Sequence, residues 1–290
     1  MAPDRFFART TAYRLVKCGG CHLVRLADPP SPGKMSDHYG VVYDRFIKKA
    51  TENGSLEHWR GAVTTLYEHR KEGRLLDLGC GAGSFLRCLN GSSWSLWGIE
   101  MSPDAAEMAK SRTKATILMD DILQAPFPPD LFDVITAFHV LEHTYSPQEV
   151  LARVYEWLKP GGIFYLHVPN IDSAEIRLFG SYWYPLELPR HLFHFSPGSL
   201  RLLAKSAGFK ERELKTSRAS FVEYSMRYFA DDMLRKAGLK RPSMADSGNS
   251  SLAWRIVRKG LRVTALPVAN WLIGRTGDGS IIEAVFEKPA

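Results

Sequence analysis

The stretch LLDLGCGAGSFL, residues 75–86, contains the features that decide the fold. Its first four residues are typical of a buried strand, and a helix-like segment follows the glycines. Gly79, Gly81 and Gly83 lie between them at every second position. Because glycine has no Cβ, such a turn lets backbone N–H groups approach a ligand at the helix N-terminus. Turns use glycine freely, so the triplet alone is weak evidence for a binding site.

The acidic residues around this turn help to distinguish two kinds of cofactor. Glu100 follows a second strand-like segment, residues 94–99, where dinucleotide-binding folds place an acid on ribose hydroxyls. The position of Glu100 is therefore compatible with a nicotinamide cofactor. The turn itself is GCGAG with Asp77 ahead of it, and it lacks the GxGxxG spacing of the dinucleotide-binding enzymes.

The pattern as a whole resembles the class I S-adenosylmethionine-dependent methyltransferases, whose first motif is an acid followed by GxGxG. The other motifs of that family match Glu100, Asp121-Ile122, Phe132-Asp133-Val134-Ile135 and Leu158-Lys159-Pro160-Gly161-Gly162, in this order. The resemblance implies S-adenosyl-L-methionine as the cofactor. The cofactor-binding candidates are Asp77, Gly79, Cys80, Gly81, Gly83, Glu100, Met101, Asp121, Ile122 and Phe138.

The resemblance also implies a role for each part of this set. The three glycines would pass the methionine end of the cofactor, Glu100 would bind the ribose, and Asp121 with Ile122 would contact the adenine. Asp77 precedes the glycines, so we expect it to hold the loop, or a water near the methionine amine, rather than the ribose.

Alternation of strands and helices predicts a parallel sheet covered on both faces. The fold class is α/β, a Rossmann-like doubly wound sheet of seven mostly parallel strands. We divide the chain into an N-terminal extension (residues 1–34), leading helices (35–72), the methyltransferase core (73–216 with 280–288) and a helical insertion before the last strand (217–279). Ligands bind such sheets outside the carboxyl ends of the strands, and the motifs lie there.

Composition and charge indicate how the chain is stabilised, where it is located and which part of it is basic. With 290 residues the chain can bury a core without metal or disulfide support. Four cysteines and the lack of an N-terminal apolar run predict a reduced, cytoplasmic protein. The net charge is +7, and residues 217–279 hold eleven Lys or Arg against five acids. The core is therefore near neutral, and the basic character belongs to the insertion.

The basic insertion contains two amphipathic stretches, residues 221–239 and 252–273. The second is too short, charged and proline-broken to span a bilayer. A basic amphipathic helix can lie on an anionic membrane surface, here the inner membrane face. A homodimer contact or a cover over the substrate is the competing interpretation. Nucleic acid is a disfavoured partner, because the charge is interleaved with apolar residues and no RNA-binding motif is present.

The sequence CGGCH, residues 18–22, resembles the second half of the zinc ribbon that bacterial tailoring methyltransferases carry near the N-terminus. A structural zinc needs four ligands, usually two cysteine pairs, and only Cys18 and Cys21 are present here. Three interpretations of this segment stay open. The other half of the ribbon is missing from this chain, or His22 and another residue complete the zinc site, or the segment is a hairpin without metal. We favour the hairpin. The CxxCH haem-attachment pattern is disfavoured without an export signal.

The segment FHVLEH, residues 138–143, follows the fourth strand, and similar enzymes place it nearest the reacting methyl group. In a helix, His139, Glu142 and His143 would share one face. Three roles stay open: a structural Glu–His pair, a histidine acting as general base, and a divalent metal site completed by a later histidine. We take His139 and His143 as catalytic candidates and assign no metal ligand.

An aromatic-rich insertion, residues 177–196, follows the fifth strand. Aromatic residues in a loop broken by glycine and proline favour a pocket wall over a core, and the segment resembles the active-site cover of the tailoring subgroup. His191 is the third catalytic candidate. The alternative is that His191 and His194 only hydrogen-bond the loop.

Together these residues predict an enzyme that transfers the methyl group of S-adenosylmethionine to a small-molecule or lipid-linked acceptor, with oxygen as the favoured acceptor atom. The alternatives are a non-catalytic module that binds the cofactor and an RNA methyltransferase. The acceptor itself is not predicted by the sequence.

Overall fold

A computed structural model describes residues 2–4, 6, 11–39, 56–218, 221–238, 260, 265–274 and 278–290. The strands in this part of the chain are β1 Ala2–Pro3, β2 Ala12–Tyr13, β3 Leu15–Lys17, β4 Val24–Leu26, β5 Gly73–Leu78, β6 Trp94–Ile99, β7 Thr116–Leu118, β8 Phe132–Phe138, β9 Leu158–Pro169, β10 Phe193–His194, β11 Lys210–Ser217 and β12 Ile281–Glu287. The α-helices are α1 Pro32–Met35, α2 Arg60–His69, α3 Ser84–Cys88, α4 Pro103–Arg112, α5 Pro147–Trp157, α6 Ala174–Phe179, α7 Pro197–Ser206, α8 Val222–Lys236 and α9 Ala265–Gly274.

Seven strands form the main sheet, in the order β11-β12-β9-β8-β5-β6-β7. The pairs β5–β6, β5–β8, β6–β7 and β8–β9 are parallel. Strand β12 runs antiparallel to β9, because Gly161 N–H donates to Lys288 O at 2.8 Å and Asn170 N–H donates to Ser280 O at 2.9 Å. The prediction of a seven-stranded, mostly parallel, Rossmann-like sheet is confirmed.

The strand order places a crevice next to β5. From β5 the chain moves outward through β6 to β7 and then returns to β8 on the other side of β5. The order of strands therefore reverses between β5 and β8. In open α/β sheets ligands bind at such a reversal, outside the carboxyl ends of the strands.

Strand β5 is buried on both faces. Leu75, Leu76 and Leu78 have no exposed surface, as expected for a central strand covered by helices on each side. Leu75 packs in one core cluster with Leu66 of α2 and Val134 of β8. The glycine turn is thus attached to a rigid part of the fold.

The chain divides into two compact units. The first unit comprises Met1–Tyr43, Pro169–Ser199 and Thr216–Ile282, and the second comprises Asp44–Val168, Leu200–Lys215 and Glu283–Ala290. The second unit holds most of the main sheet and all the cofactor-binding candidates. The first unit holds two small sheets, β1–β2 and β10-β4-β3. The division into four parts made from sequence stays a prediction.

The described helices follow the predicted ones where they can be compared. The second leading helix is α2, and the first amphipathic stretch of the insertion contains α8. Of the leading helices predicted over residues 35–72, residues 40–55 lie outside the described part of the chain, and a 3₁₀ turn is described at Ser36–His38. Most of the stretch 252–264 also lies outside them, and α9 follows it. Among the described helices, none has the length and apolar character that crossing a membrane requires.

Candidate functional site

The glycine turn after β5 has a backbone that other residues rarely adopt. The φ angle is +59° at Gly79, +54° at Gly81 and +73° at Gly83, where a Cβ is costly. A Cβ on Gly79 would lie 2.7 Å from Val140 Cγ2, and a Cβ on Gly83 would lie 2.7 Å from Thr113 Cγ2. A Cβ on Gly81 would meet no atom within 4 Å in the described part of the chain, its chain neighbours aside. Gly81 therefore borders open space that a ligand can enter.

Glu100 connects this turn to the neighbouring strand. It directly follows β6, and its carboxylate accepts hydrogen bonds from the backbone N–H groups of Gly81 at 2.9 Å and Ser102 at 2.8 Å. Hydrogen bonds to a carboxylate are stronger than those between neutral groups, so Glu100 fixes the position of the Gly81 backbone. A carboxylate has about four acceptor positions, so about two stay open for hydroxyl groups of a ligand.

Asp77 lies in β5, two residues ahead of the glycine turn. Its side chain is buried, and Oδ1 accepts a hydrogen bond from the Thr136 hydroxyl at 2.7 Å. The two residues are register partners on β5 and β8. The pKa of Asp77 is raised to about 7, chiefly by burial; the hydrogen bond from Thr136 opposes this rise, and the nearby charge of Glu100 contributes to it. Asp77 thus joins the strands that flank the crevice, and a contact with the cofactor stays a prediction.

The remaining cofactor candidates of this edge follow β6 and β7. Asp121 Oδ1 accepts a hydrogen bond from Leu123 N–H at 2.7 Å, which shapes the turn after β7. Ile122 is partly buried, and Met101 is exposed. Because β5, β6 and β7 are parallel, these residues lie at the same edge of the sheet as the glycine turn. Their contacts with adenine and ribose stay predictions.

Phe138 ends β8 and belongs to an aromatic cluster. Its ring centroid lies 4.8 Å from that of Phe85, 5.1 Å from that of Trp59 and 4.6 Å from that of His167. Trp59 precedes α2, and Phe85 lies on the helix that follows the glycine turn. The cluster therefore packs the end of β8 against the helix that follows the glycine turn.

His139 and Glu142 form a pair directly after β8. His139 Nδ1 lies 3.2 Å from Glu142 Oε1; Glu142 is fully buried, while the His139 side chain is 44% exposed. Among the described residues Glu142 Oε2 has no hydrogen-bond partner. The φ angle of His139 is +58°, a conformation that is costly outside glycine and is found often at functional sites.

The predicted shared helical face is absent, because Leu141–His143 is a single 3₁₀ turn. His143 lies on this turn and is partly buried. The contact between His139 and Glu142 is what a structural pair requires, and it also orients the His139 ring for a reaction. The three roles considered for this segment stay open, and so does the assignment of His143.

Sequence reasoning missed His167, which lies near the end of β9. Its Nε2 lies 2.8 Å from the hydroxyl oxygen of Tyr165, and its carbonyl accepts a hydrogen bond from His139 N–H at 2.9 Å. Burial lowers the pKa of His167 to about 3, with further contributions from His139 and Lys215. Burial also raises the pKa of Tyr165. His167 is therefore a neutral ring beside a protonated hydroxyl.

A group of charged side chains lies next to His167, and one of them contacts α2. Lys215 Nζ lies 2.7 Å from Glu213 Oε1, 3.9 Å from Glu283 Oε2 and 3.3 Å from the Thr65 hydroxyl. Glu283 Oε2 in turn lies 3.9 Å from His167 Nε2. Tyr165 and His167, the two polar residues in the otherwise apolar second half of β9, were the available signal, but their partners are distant in sequence.

In the first unit, His191 contacts the loop that carries it. Its Nδ1 donates to the carbonyl of Pro185 at 2.8 Å, and its Nε2 lies 3.6 Å from Glu187 Oε2. Arg190 is fully buried and pairs with Glu187 at 3.2 Å and with Asp4 at 3.4 Å. These contacts match the loop-holding role considered for His191. Its catalytic role stays a prediction.

The rest of the aromatic-rich insertion is more buried than expected. Trp183 and Phe195 are at most 1% exposed, so the expectation of a pocket wall is wrong for both. Trp183 packs with Leu26 and Met35, because the N-terminal extension supplies the apolar partners that the loop lacks. His194 has both ring nitrogens buried without a hydrogen-bond partner among the described residues, and burial lowers its pKa to about 4.

The sheet order, the acid-GxGxG turn and the carboxylate after the next strand define a class I S-adenosylmethionine-dependent methyltransferase. A family model described as a methyltransferase domain matches residues 51–214, and the chain belongs to this family. Family membership, the open space at Gly81 and the acceptor positions of Glu100 assign S-adenosyl-L-methionine as the cofactor.

Curated relatives cover the core of the chain. A ubiquinone biosynthesis O-methyltransferase from Thiobacillus denitrificans is 28% identical over 155 residues, which cover 49% of this chain and 66% of that protein. A demethylmenaquinone methyltransferase from Symbiobacterium thermophilum is 25% identical over 174 residues, covering 53% and 69%. The match to the first of these relatives thus spans less than two thirds of its length.

A solved structure shows the same fold. Phosphoethanolamine N-methyltransferase 2 of Haemonchus contortus, in complex with S-adenosyl-L-methionine, superimposes with a TM-score of 0.55 at 19% identity. The match covers 80% of this chain and 53% of that chain. At this identity the likeness concerns the fold alone.

Proposed function

We propose that this protein transfers the methyl group of S-adenosylmethionine to an oxygen atom of a small-molecule or lipid-linked acceptor. The observation that carries the proposal is the open space at Gly81 beside the Glu100 carboxylate, at the edge where the sheet order reverses. The names of two relatives, a ubiquinone biosynthesis O-methyltransferase and a malonyl-[acyl-carrier protein] O-methyltransferase, support transfer to oxygen. The name of the demethylmenaquinone methyltransferase supports a small-molecule acceptor without specifying the atom.

The proposed placement of the cofactor follows the order of the strands. The methionine end lies along the glycine turn, the ribose hydroxyls donate to Glu100, and Asp121 with Ile122 contacts the adenine. When bound, S-adenosylmethionine supplies a methyl group on a positively charged sulfur. The protein then has to hold the acceptor oxygen in line with that methyl group. Such alignment of the reacting atoms is a large source of rate acceleration.

A hydroxyl acceptor must also lose its proton as the carbon–oxygen bond forms and the carbon–sulfur bond breaks. We favour His139 as the base. In the proposed tautomer, His139 Nδ1 donates its hydrogen to Glu142 Oε1, and Nε2 accepts the proton of the acceptor hydroxyl. A base oriented by a third group is the usual arrangement in such sites. His143 and His191 are the other candidates.

We also propose that the insertion makes peripheral contact with an anionic membrane surface, where a lipid-linked acceptor would be found. Phe229 and Met233 are exposed one turn apart on α8, and Val268 and Trp271 are exposed one turn apart on α9. Exposed apolar side chains on helices of a strongly basic segment suit insertion among anionic headgroups.

Calorimetry followed by a transfer assay tests the function. We expect S-adenosylmethionine and S-adenosylhomocysteine to bind at micromolar strength, and label from methyl-tritiated cofactor to appear in at least one of a prenylated catechol, a simple phenol and a carrier-bound acyl carboxylate. His139→Gln should keep binding and lose transfer, while His22→Gln should keep both. Binding without transfer to any acceptor would favour a non-catalytic module. Binding of NAD in place of both ligands would overturn the proposal.

A further inference from the structure

Cys18 and Cys21 lie on the tight turn that joins β3 to β4. Cys18 N–H donates to Leu23 O at 2.9 Å, and His22 N–H donates to Cys18 O at 3.1 Å, so two backbone hydrogen bonds close the turn. Both thiols are free. Cys18 is exposed, and Cys21 is partly buried. The turn therefore presents two neighbouring thiols, one of them open to solvent.

The two thiols differ in access to solvent. Cys18 is exposed and Cys21 is partly buried, so a disulfide in solution reaches Cys18 first. Hydrogen bonding with the backbone of Cys21 and Gly20 and with the Cys21 thiol lowers the pKa of Cys18, and the positive charge of Arg25 acts in the same direction. The thiolate is the reactive form of cysteine, so this effect adds to the greater exposure of Cys18.

The other two cysteines of the chain are placed differently. Cys80 is buried in the glycine turn, and burial together with the charges of Asp77 and Glu100 raises the pKa of its thiol. Burial also raises the pKa of Cys88, whose thiol donates to Ser84 O at 3.4 Å. A raised pKa keeps both groups in the less reactive thiol form. Their reaction rates are therefore a reference against which the rate of Cys18 can be compared.

We propose that Cys18 and Cys21 form a thiol–disulfide exchange site, in which Cys18 attacks a low-molecular-weight disulfide and Cys21 resolves the product. This inference is independent of the proposed methyl transfer. With oxidised glutathione, the Cys18 thiolate bonds to one glutathione sulfur, the sulfur–sulfur bond breaks, and glutathione thiolate leaves. The Cys21 thiolate then bonds to the Cys18 sulfur and displaces the second glutathione thiolate.

The exchange balances without a further reagent. The two cysteine thiols are oxidised to one disulfide, and one oxidised glutathione is reduced to two glutathione molecules. The two protons of the cysteine thiols pass to the two glutathione thiolates. Both cysteines belong to one four-residue turn between β3 and β4, so the resolving step joins residues only three apart in the chain.

Intact-mass spectrometry of the full chain tests the site after treatment with a chelator and then with oxidised glutathione. We expect wild type to lose two hydrogens, reversibly with dithiothreitol, and peptide mapping to place the disulfide between Cys18 and Cys21. Cys21→Ser should stop at one glutathione adduct on Cys18. Cys18→Ser should stay unmodified, and Cys88→Ser should behave as wild type.

Rates and metal content complete the test. We expect Cys18 to react with a chromogenic disulfide at least about tenfold faster than Cys88. Equal rates, or a Cys21→Ser protein with no adduct on Cys18 and unchanged thermal unfolding, would overturn the proposal. It would also fail if the purified protein carries stoichiometric zinc on this pair and the thiols react only after the chelator has removed it, since the turn would then be a metal site.

Discussion

The backbone N–H of Gly81 donates to the carboxylate of Glu100 at 2.9 Å, so the glycine turn after β5 is tied directly to the acid after β6. Two features that appear separate in the sequence are one structure in the fold. A substitution at Glu100 therefore affects both the proposed ribose contact and the shape of the turn.

Glu100→Ala should weaken binding of S-adenosylmethionine and S-adenosylhomocysteine roughly tenfold to a hundredfold. The reason is the loss of charge-assisted hydrogen bonds, each contributing about 1.5–3 kcal/mol. Isothermal calorimetry measures the change. Glu107→Ala is the matched control, because Glu107 is an exposed acid on α4 that pairs only with Lys110 in the described contacts. An unchanged dissociation constant in Glu100→Ala would show that the ribose is bound elsewhere.

Gly81→Ala should abolish cofactor binding at a small cost in stability. Gly91 offers a comparison, since its φ is also positive, +81°, and a Cβ there would meet no atom within 4 Å among the described residues beyond its chain neighbours. Each alanine has to adopt a left-handed backbone, which costs about 1–2 kcal/mol. We expect similar losses in thermal unfolding but loss of binding in Gly81→Ala alone. Equal binding by the two variants would contradict the assignment of the open space to the cofactor.

Asp77 should make folding stability fall as the pH rises. Its folded pKa is about 7 against an ordinary value of 3.8, so the folded state holds the proton more tightly. The contribution is complete below about pH 4 and is lost as the pH rises through about 7. Asp77→Asn should therefore show a smaller fall in melting temperature between about pH 5 and pH 7.5. Asp104→Asn, an exposed acid on α4, is the control, and equal slopes in wild type and Asp77→Asn would argue against a buried carboxyl.

His167 should stay neutral throughout the range in which the enzyme is handled, because burial lowers its pKa to about 3. Nitrogen-15 NMR of the imidazole, assigned with His167→Gln, measures this directly. Tyr165→Phe should shift the Nε2 signal and cost about 1 kcal/mol of stability through the lost hydrogen bond. Tyr155→Phe on α5 should leave the signal in place. A titration midpoint near 6.5 would mean that the ring is open to water.

Phe229→Ser combined with Met233→Ser should reduce co-sedimentation with vesicles of phosphatidylglycerol. Both side chains are exposed on α8 in the basic insertion, and burial of apolar surface contributes to such binding. Wild type should bind vesicles of phosphatidylcholine weakly, because the charge attraction is missing. Leu202→Ser, an equally exposed leucine on α7, should bind as wild type does. If all variants sediment equally with the vesicles, α8 does not contribute to the contact with the membrane surface.

The parts of the fold that sequence reasoning predicted best are local. Ser102 and Pro103 are helix start signals that need no distant partner, and α4 runs from Pro103 to Arg112. Gly161 and Gly162 indicate a turn ahead of the fifth strand, but β9 already begins at Leu158. Its first residues are extended because Gly161 and Gly162 hydrogen-bond with Lys288 of the last strand region, more than a hundred residues away.

The sequence by itself determined the sheet architecture and the family and predicted the edge at which the cofactor binds, since strand and helix periodicity and the glycine turn depend on neighbouring residues. Only the tertiary structure decided the environment of single side chains. It buries Asp77 against Thr136, places Trp183 in a core built with the N-terminal extension, and makes His167 a neutral ring. Burial and charge depend on partners far apart in the chain, and no local pattern encodes them.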